Sequence, residues 1–227
     1  MKYVFFVNPT AGKGNLQDKI IKSIHEFFAH NDDDDYDIYI TKFKGDAESQ
    51  AKRLAGTGEN IRMFACGGEG TAFEVLNGIV GFENVSLGVI PCGSANDFLK
   101  FFDSKDKFLN LKSQIEGTPV KMDIIKAGDR YCLNGCSVGM DAVIARDMSD
   151  YKNLPLVSGP MAYKLAIVKN FVKKIGIVAN IFVDGEDLGK MDCLFAVIAN
   201  APYYGGGYMS APDAVPNDGK LNFTLVK

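Results

Sequence analysis

Two short glycine-bearing stretches carry side chains suited to phosphate chemistry, Gly67-Gly68-Glu69-Gly70-Thr71 and Gly93-Ser94-Ala95-Asn96-Asp97. Each follows an apolar run that reads as a buried strand, residues 61–66 and 86–90, and each leads into residues that can open a helix. A strand that turns through glycines into a helix leaves backbone N–H groups unpaired at the positive end of the helix dipole, which suits an anion. Glycines also let the backbone approach a ligand closely. The Thr71 hydroxyl can cap the following helix or meet a phosphate oxygen. Glu69 puts a carboxylate beside the phosphates, where Mg²⁺ can bridge them. In the second stretch the Ser94 hydroxyl and the Asn96 amide offer donors, and Asp97 can accept from a sugar or substrate hydroxyl. A third turn, Asn8-Pro9-Thr10-Ala11-Gly12-Lys13-Gly14, closes the first apolar run. It is not a Walker A loop, because Val7 and Gly14 occupy the places where that pattern needs Gly and Ser or Thr. Together the three turns point to nucleotide handling.

The elements that must position these turns alternate in the first half of the chain. Residues 2–7 read as a strand, and residues 16–30 carry Ile20, Ile21, Ile24, Phe27 and Phe28 at helical spacing. Residues 36–41 alternate with period two. Asp46 is expected to cap a helix over residues 47–55, which Gly56 and Gly58 end. A strand over 61–66, a helix over 71–79 and a strand over 86–90 follow. Such alternation implies a parallel sheet covered by helices, with ligands at the carboxyl ends of the strands, where all three turns fall. After about residue 119 the texture changes. Residues 120–127, 131–137, 177–184, 193–200 and 221–226 are β-rich, and Asp184-Gly185 is a hairpin signal. The expected fold is α/β: a Rossmann-like nucleotide-binding domain over residues 1–119, then a mostly antiparallel β-sandwich over residues 120–227.

The bulk properties narrow the partners. With 227 residues and a net charge of −3, the chain lacks the basic footprint of a nucleic-acid binder. The acidic run at residues 32–35 reads as a solvated loop. Five cysteines and two histidines, His25 and His30, show no metal-ligand spacing, so a reduced, cytoplasmic setting is expected. Cys66 and Cys92 read as small buried residues rather than nucleophiles. The N-terminus shows no signal-peptide pattern, and no apolar run reaches the roughly 18–20 residues a spanning helix needs. Residues 159–174 place Met161, Leu165, Val168 and Val172 at helical spacing among Lys164, Lys169, Lys173 and Lys174. That pattern fits a helix packed on the sandwich and, in second place, one lying on an anionic membrane surface.

As a set, the motifs resemble the diacylglycerol kinase catalytic family, which includes bacterial lipid kinases and sphingosine kinases. The resemblance is carried by Asn8-Pro9-Thr10-Ala11-Gly12, by Gly67-Gly68-Glu69-Gly70-Thr71-Ala72-Phe73-Glu74-Val75-Leu76-Asn77-Gly78 and by Pro91-Cys92-Gly93-Ser94-Ala95-Asn96-Asp97-Phe98. Further on, Asn200-Ala201-Pro202-Tyr203-Tyr204-Gly205-Gly206-Gly207, Ala211-Pro212-Asp213-Ala214 and Asp218-Gly219 resemble its second domain. The resemblance implies a nucleotide-binding domain like that of phosphofructokinase and NAD kinase, with ATP between it and the sandwich. It places Asn8, Pro9, Thr10, Ala11, Gly12, Thr41, Gly67, Gly68, Glu69, Gly70, Thr71, Ser94 and Asn96 around ATP. It also implies a structural Mg²⁺ held by the Asp218 carboxylate and the backbone carbonyls of Val215 and Lys220.

The chain departs from the family pattern twice. Glu69 stands where the family usually has Asp, which moves the carboxylate out by one methylene. The family's catalytic Asp-Gly-Glu lies in a later sandwich strand, so the general base is expected beyond Lys227. Asp184-Gly185-Glu186 sits at a plain hairpin and does not take that role. Glu69 and Asp97 are left with supporting roles. The expected activity is transfer of the ATP γ-phosphoryl to a lipid hydroxyl, with diacylglycerol giving phosphatidic acid as first choice. The alternatives are a non-catalytic member that binds nucleotide or lipid, and an NAD kinase-like enzyme. Phe98, Phe101 and Phe102 read as core packing, with a border on the acyl-chain cleft as the alternative. The expected partners are a lipid at a membrane surface, through peripheral association, and in second place another copy of the chain.

Overall fold

The computed structural model describes residues 1–12, 16–30, 35–92, 96–102, 105–151, 169, 176–205 and 207–227. The basic stretch at 159–174 lies outside them apart from Lys169, as do residues 32–34 of the acidic run. The chain opens with β1 (Lys2–Val7), α1 (Leu16–Phe28), β2 (Asp35–Ile40), α2 (Asp46–Ala55), β3 (Ile61–Gly67), α3 (Glu69–Ile79) and β4 (Val85–Pro91). The four strands are parallel and ordered β2-β1-β3-β4. The two central strands are buried along nearly their whole length, as a sheet covered on both faces requires.

Period-two alternation sorts their side chains. Tyr3, Phe5, Val7, Phe64 and Cys66 pack with Ile24 and Phe28 of α1. Val4, Phe6, Met63 and Ala65 pack with Ala47, Ala51 and Ala55 of α2 and with Ala72, Val75 and Ile79 of α3. On the first face the Phe5 and Phe64 rings stack at 4.8 Å between centroids. On the second face small residues bring two helices together. A Cβ on Gly78 would sit 2.5 Å from the Glu48 carbonyl oxygen, so only glycine permits that approach.

A 3₁₀ turn (Asp97–Phe102), α4 (Lys105–Leu109), α5 (Leu111–Glu116), β5 (Ile125–Ala127) and β6 (Arg130–Cys132) follow. Next come β7 (Gly135–Gly139), α6 (Met140–Tyr151), β8 (Ile177–Val183), β9 (Glu186–Cys193) and β10 (Phe195–Ala199). Short strands β11 (Tyr203–Tyr204) and β12 (Tyr208–Met209) precede the last strand, β13 (Asn222–Val226). The chain forms two compact units, Met1–Asn134 with Asn200–Lys220, and Gly135–Ala199 with Leu221–Lys227. The second unit holds an antiparallel sheet ordered β13-β10-β7 and the β8–β9 hairpin. Asp184 (φ 51°) and Gly185 (φ 85°) form the two-residue turn of that hairpin. The α/β fold with a following antiparallel β domain is therefore as the sequence implies.

Several local expectations are corrected. Asp46 is not the cap of α2. Gly45, with φ 88°, is the capping residue, and Asp46 is buried in the first turn. Its carboxylate accepts from the Tyr39 hydroxyl at 2.9 Å and the Lys42 N–H at 2.8 Å. The strand expected over 120–127 is confined to β5, and the one over 131–137 divides into β6 and β7. The run 193–200 is likewise shared between the end of β9 and β10. α4, α5, α6, β9, β11 and β12 lie where no element is expected from the sequence. In β9 the sequence Glu-Asp-Leu-Gly-Lys-Met-Asp-Cys is poor in β-formers, and pairing to β8 imposes the strand.

Candidate functional site

The connection from β1 to β2 runs outward, and that from β2 to β3 returns across β1. The strand order therefore reverses between β1 and β3, and α1 lies on the opposite face from α2 and α3. Loops leaving the carboxyl ends of two such strands diverge and open a crevice. Asn8 follows β1 there, and Gly67 ends β3.

Local chemistry fixes both loops. A Cβ on Gly67 would fall 2.2 Å from Thr71 Oγ1, so the turn into α3 can close this tightly only on glycine. Gly68 caps α3, and its carbonyl accepts the Thr71 N–H at 3.1 Å and the Ala72 N–H at 3.2 Å. The Asn8 N–H donates to the Cys66 carbonyl at 3.1 Å. Asn8 Oδ1 accepts both the Thr10 N–H and the Thr10 hydroxyl at 2.9 Å. Asn8 Nδ2 donates to Thr71 Oγ1 at 3.2 Å. One side chain thus ties the loop after β1 to the start of α3. Thr71 is inside the helix and buried, so its hydroxyl is the acceptor in this tie rather than a cap. Thr41 joins them from β2, its N–H donating to the Val7 carbonyl at 2.9 Å.

These loops enclose a cavity of about 590 Å³. Its lining includes Asn8, Pro9, Thr10, Ala11, Gly12, Thr41, Gly68, Gly70 and Thr71, all singled out from the sequence. It also includes Lys42, Phe43, Lys44, Ala47 and Glu74, which the sequence reading did not assign to a site. The signal for the first three was their place directly after Thr41. Glu74 was visible as part of the motif around Gly67–Gly78, without a role. In the structure Glu74 Oε1 accepts the Gly45 N–H at 2.8 Å and pins the 41–45 loop to α3. Phe43 is 67% exposed, an aromatic face left open beside the cavity. The start of α3 presents first-turn amides, and Lys42 and Lys44 add positive charge, so the cavity suits an anionic ligand carrying a flat apolar group.

The second glycine turn is placed differently. Ser94, with Gly93 and Ala95, lies outside the described residues. Asn96 is buried with φ 50°. Asp97 is buried, and its carboxylate meets Lys100 Nζ at 2.5 Å. Neither Asn96 nor Asp97 lines the cavity. Glu69 is exposed, does not line the cavity, and accepts the Asp97 N–H on Oε1 at 2.9 Å. Phe102 meets Phe98 and Phe101 edge to face and Phe108 at a tilt, and Phe98, Phe101 and Phe102 are half-buried, outside the two buried core clusters.

Other candidates resolve on chemical grounds. Burial pushes the Cys66 thiol well above its ordinary range, with the neighbouring Cys92 adding to the effect, and burial pushes Cys92 up to about 11. Both stay protonated at neutral pH and are unsuited to act as nucleophiles. Val215, Asp218 and Lys220 do come together in one turn. The Val215 carbonyl accepts the Asn217 N–H at 2.9 Å and the Asp218 N–H at 3.3 Å, and Asp218 Oδ1 accepts the Lys220 N–H at 2.9 Å. The Asp218 carboxylate and the Val215 and Lys220 carbonyl oxygens are ligands of the type Mg²⁺ takes. Asp123 also reaches this turn, with Oδ2 accepting the Gly219 N–H at 2.7 Å. Among the described residues there is no cluster of three His, Cys, Asp or Glu side chains able to hold a metal, and no helix long and apolar enough to cross a membrane.

Residues 2–127, which contain the cavity, match the family model described as the diacylglycerol kinase catalytic domain. The chain belongs to this family. Residues 134–227 match the model of a C-terminal NAD kinase beta sandwich-like domain. A Staphylococcus epidermidis protein named "Putative lipid kinase" is 30% identical over 82% of this chain and 61% of its own length. The chain thus spans about 61% of that relative. A Staphylococcus aureus protein named diacylglycerol kinase is 29% identical over 97% of this chain and 69% of its own length. The fold is shared with a diacylglycerol kinase from Bacillus anthracis, at a TM-score of 0.71 and 24% identity, over 100% of this chain and 75% of that one.

Proposed function

We propose that this chain binds MgATP in the cavity at the β1/β3 reversal and is the nucleotide-binding part of a lipid kinase, with diacylglycerol as acceptor and phosphatidic acid as product. The observation that carries the reading is the cavity itself. It gathers the Asn8–Thr71 tie, the first turn of α3 and the 41–44 loop at one point of the sheet. The triphosphate lies against the start of α3, where Gly68 and Gly70 allow close approach and the dipole favours negative charge. Mg²⁺ bound with the phosphates would offset the charge that develops on them. Lys42 and Lys44 supply further positive charge, and the base lies on Phe43. Names of relatives support the lipid acceptor.

A second reading, nucleotide binding without transfer, is favoured by one observation: Glu69 turns to Asp97 and not to the cavity. Both readings are tested on the full-length protein, including any residues that follow Lys227, by incubating it with labelled ATP, Mg²⁺ and mixed micelles of diacylglycerol, sphingosine or neither, with NAD in parallel. Label in phosphatidic acid is the expected result. ATP binding by calorimetry with no labelled product in any arm supports the second reading. Label in NADP overturns the lipid acceptor.

A further inference from the structure

The residue at which this chain departs from its family has a role that its position in the first glycine turn hides. Glu69 is the first residue of α3, flanked by Gly68 and Gly70, which both line the cavity. Its own side chain points elsewhere. Oε1 lies 2.9 Å from the Asp97 nitrogen, across 28 residues of sequence, and accepts that N–H. Asp97 begins the 3₁₀ turn that follows the second glycine turn, and its buried carboxylate is held by Lys100 Nζ at 2.5 Å. A second link joins the same two loops at their strand ends, where the Cys92 N–H donates to the Gly67 carbonyl at 2.8 Å.

We infer that Glu69 is a positioning residue that clasps the 3₁₀ turn, at Asp97, to the first glycine turn, so that residues 97–102 are set by the loop that holds phosphate. The inference rests on the nucleotide reading of the cavity. The length of the side chain is what makes the clasp: an aspartate would end about 1.5 Å short, one C–C bond, and would leave the Asp97 amide beyond hydrogen-bond range. The interaction needs an acceptor oxygen and reach, and a glutamine side chain supplies both. A metal ligand or general base needs the carboxylate itself, so the two roles make opposite demands at this position.

The test compares Glu69→Gln, Glu69→Asp and Glu69→Ala in the full chain. Amide exchange at residues 97–102 and calorimetric ATP affinity are measured with Mg²⁺ present. The clasp predicts that E69D and E69A speed exchange at the Asp97 amide about tenfold or more and weaken ATP several-fold, while E69Q restores most of both. Loss of ATP affinity or turnover in E69Q equal to that in E69A overturns it, because the charge and not the acceptor then matters. Unchanged Asp97 exchange in E69A overturns it as well. Should the wild-type chain bind no ATP, the nucleotide reading fails, and the exchange measurement still decides the clasp.

Discussion

The two glycine-bearing turns both follow parallel strands of one sheet, and their described residues are placed differently. The first leaves β3, a central strand whose neighbour β1 lies on the far side of a reversal in strand order, and it lines a cavity. The second leaves β4, the last strand in the sheet, and its described residues Asn96 and Asp97 are buried and do not line that cavity. Glycine and polar side chains after a strand thus do not by themselves put a loop on this cavity. Position in the strand order decides which loops meet at this crevice.

The largest test of this contrast is Gly67→Ala. A methyl group 2.2 Å from Thr71 Oγ1 displaces the start of α3, and a misplacement of that order costs roughly 100-fold in kcat/KM. Steady-state kinetics, with a denaturation curve to confirm the fold, measures it. An unaffected G67A enzyme would remove the first turn from the site. Next is Asn8→Ala, which cuts the tie between the two loops. Loss of a hydrogen bond worth about 1–2 kcal/mol predicts an ATP Kd raised about tenfold, read by calorimetry. Phe43→Ala is expected to weaken ATP several-fold, the scale of one aromatic stack, and to leave inorganic tripolyphosphate binding unchanged. Equal losses for both ligands would place the base elsewhere.

The smallest effect concerns the cysteines beside the two turns. Burial raises the Cys92 thiol from 9.0 to about 11 in the fold, so the unfolded chain releases this proton first. Between those values the folded state binds more protons, and stability falls as pH rises; below about 9 the thiol contributes no slope. Cys66 is raised in the same direction. Chemical denaturation from pH 8 to 11 is expected to show this decline, and Cys92→Ala to flatten it.

Much of the first unit was legible because its signals are local. Period-two and period-3.6 patterns marked β1 to β4 and α1 to α3 within about two residues of their observed ends. The turns after β1 and β3 were legible as candidate anion sites for the same reason. The rest depended on partners distant in sequence. β9 takes its strand from β8, and the 131–137 run breaks where Asn134 turns toward the Tyr203 carbonyl, at 2.8 Å. Asp46 looked like a cap because caps are read from residue type, yet Tyr39 and Lys42 recruit its carboxylate inside the helix.

By itself, then, the sequence determined that this chain builds an α/β sheet with glycine turns suited to phosphate at its carboxyl ends, and that it carries the motifs of a lipid-kinase family. Backbone propensity, periodicity and glycine's freedom act over a few residues and can be read directly. Only the tertiary structure decided which turn opens onto a cavity, that Lys42, Phe43 and Glu74 join it, and that Glu69 reaches across to Asp97. Those outcomes follow from strand order and side-chain reach between segments that only folding brings together.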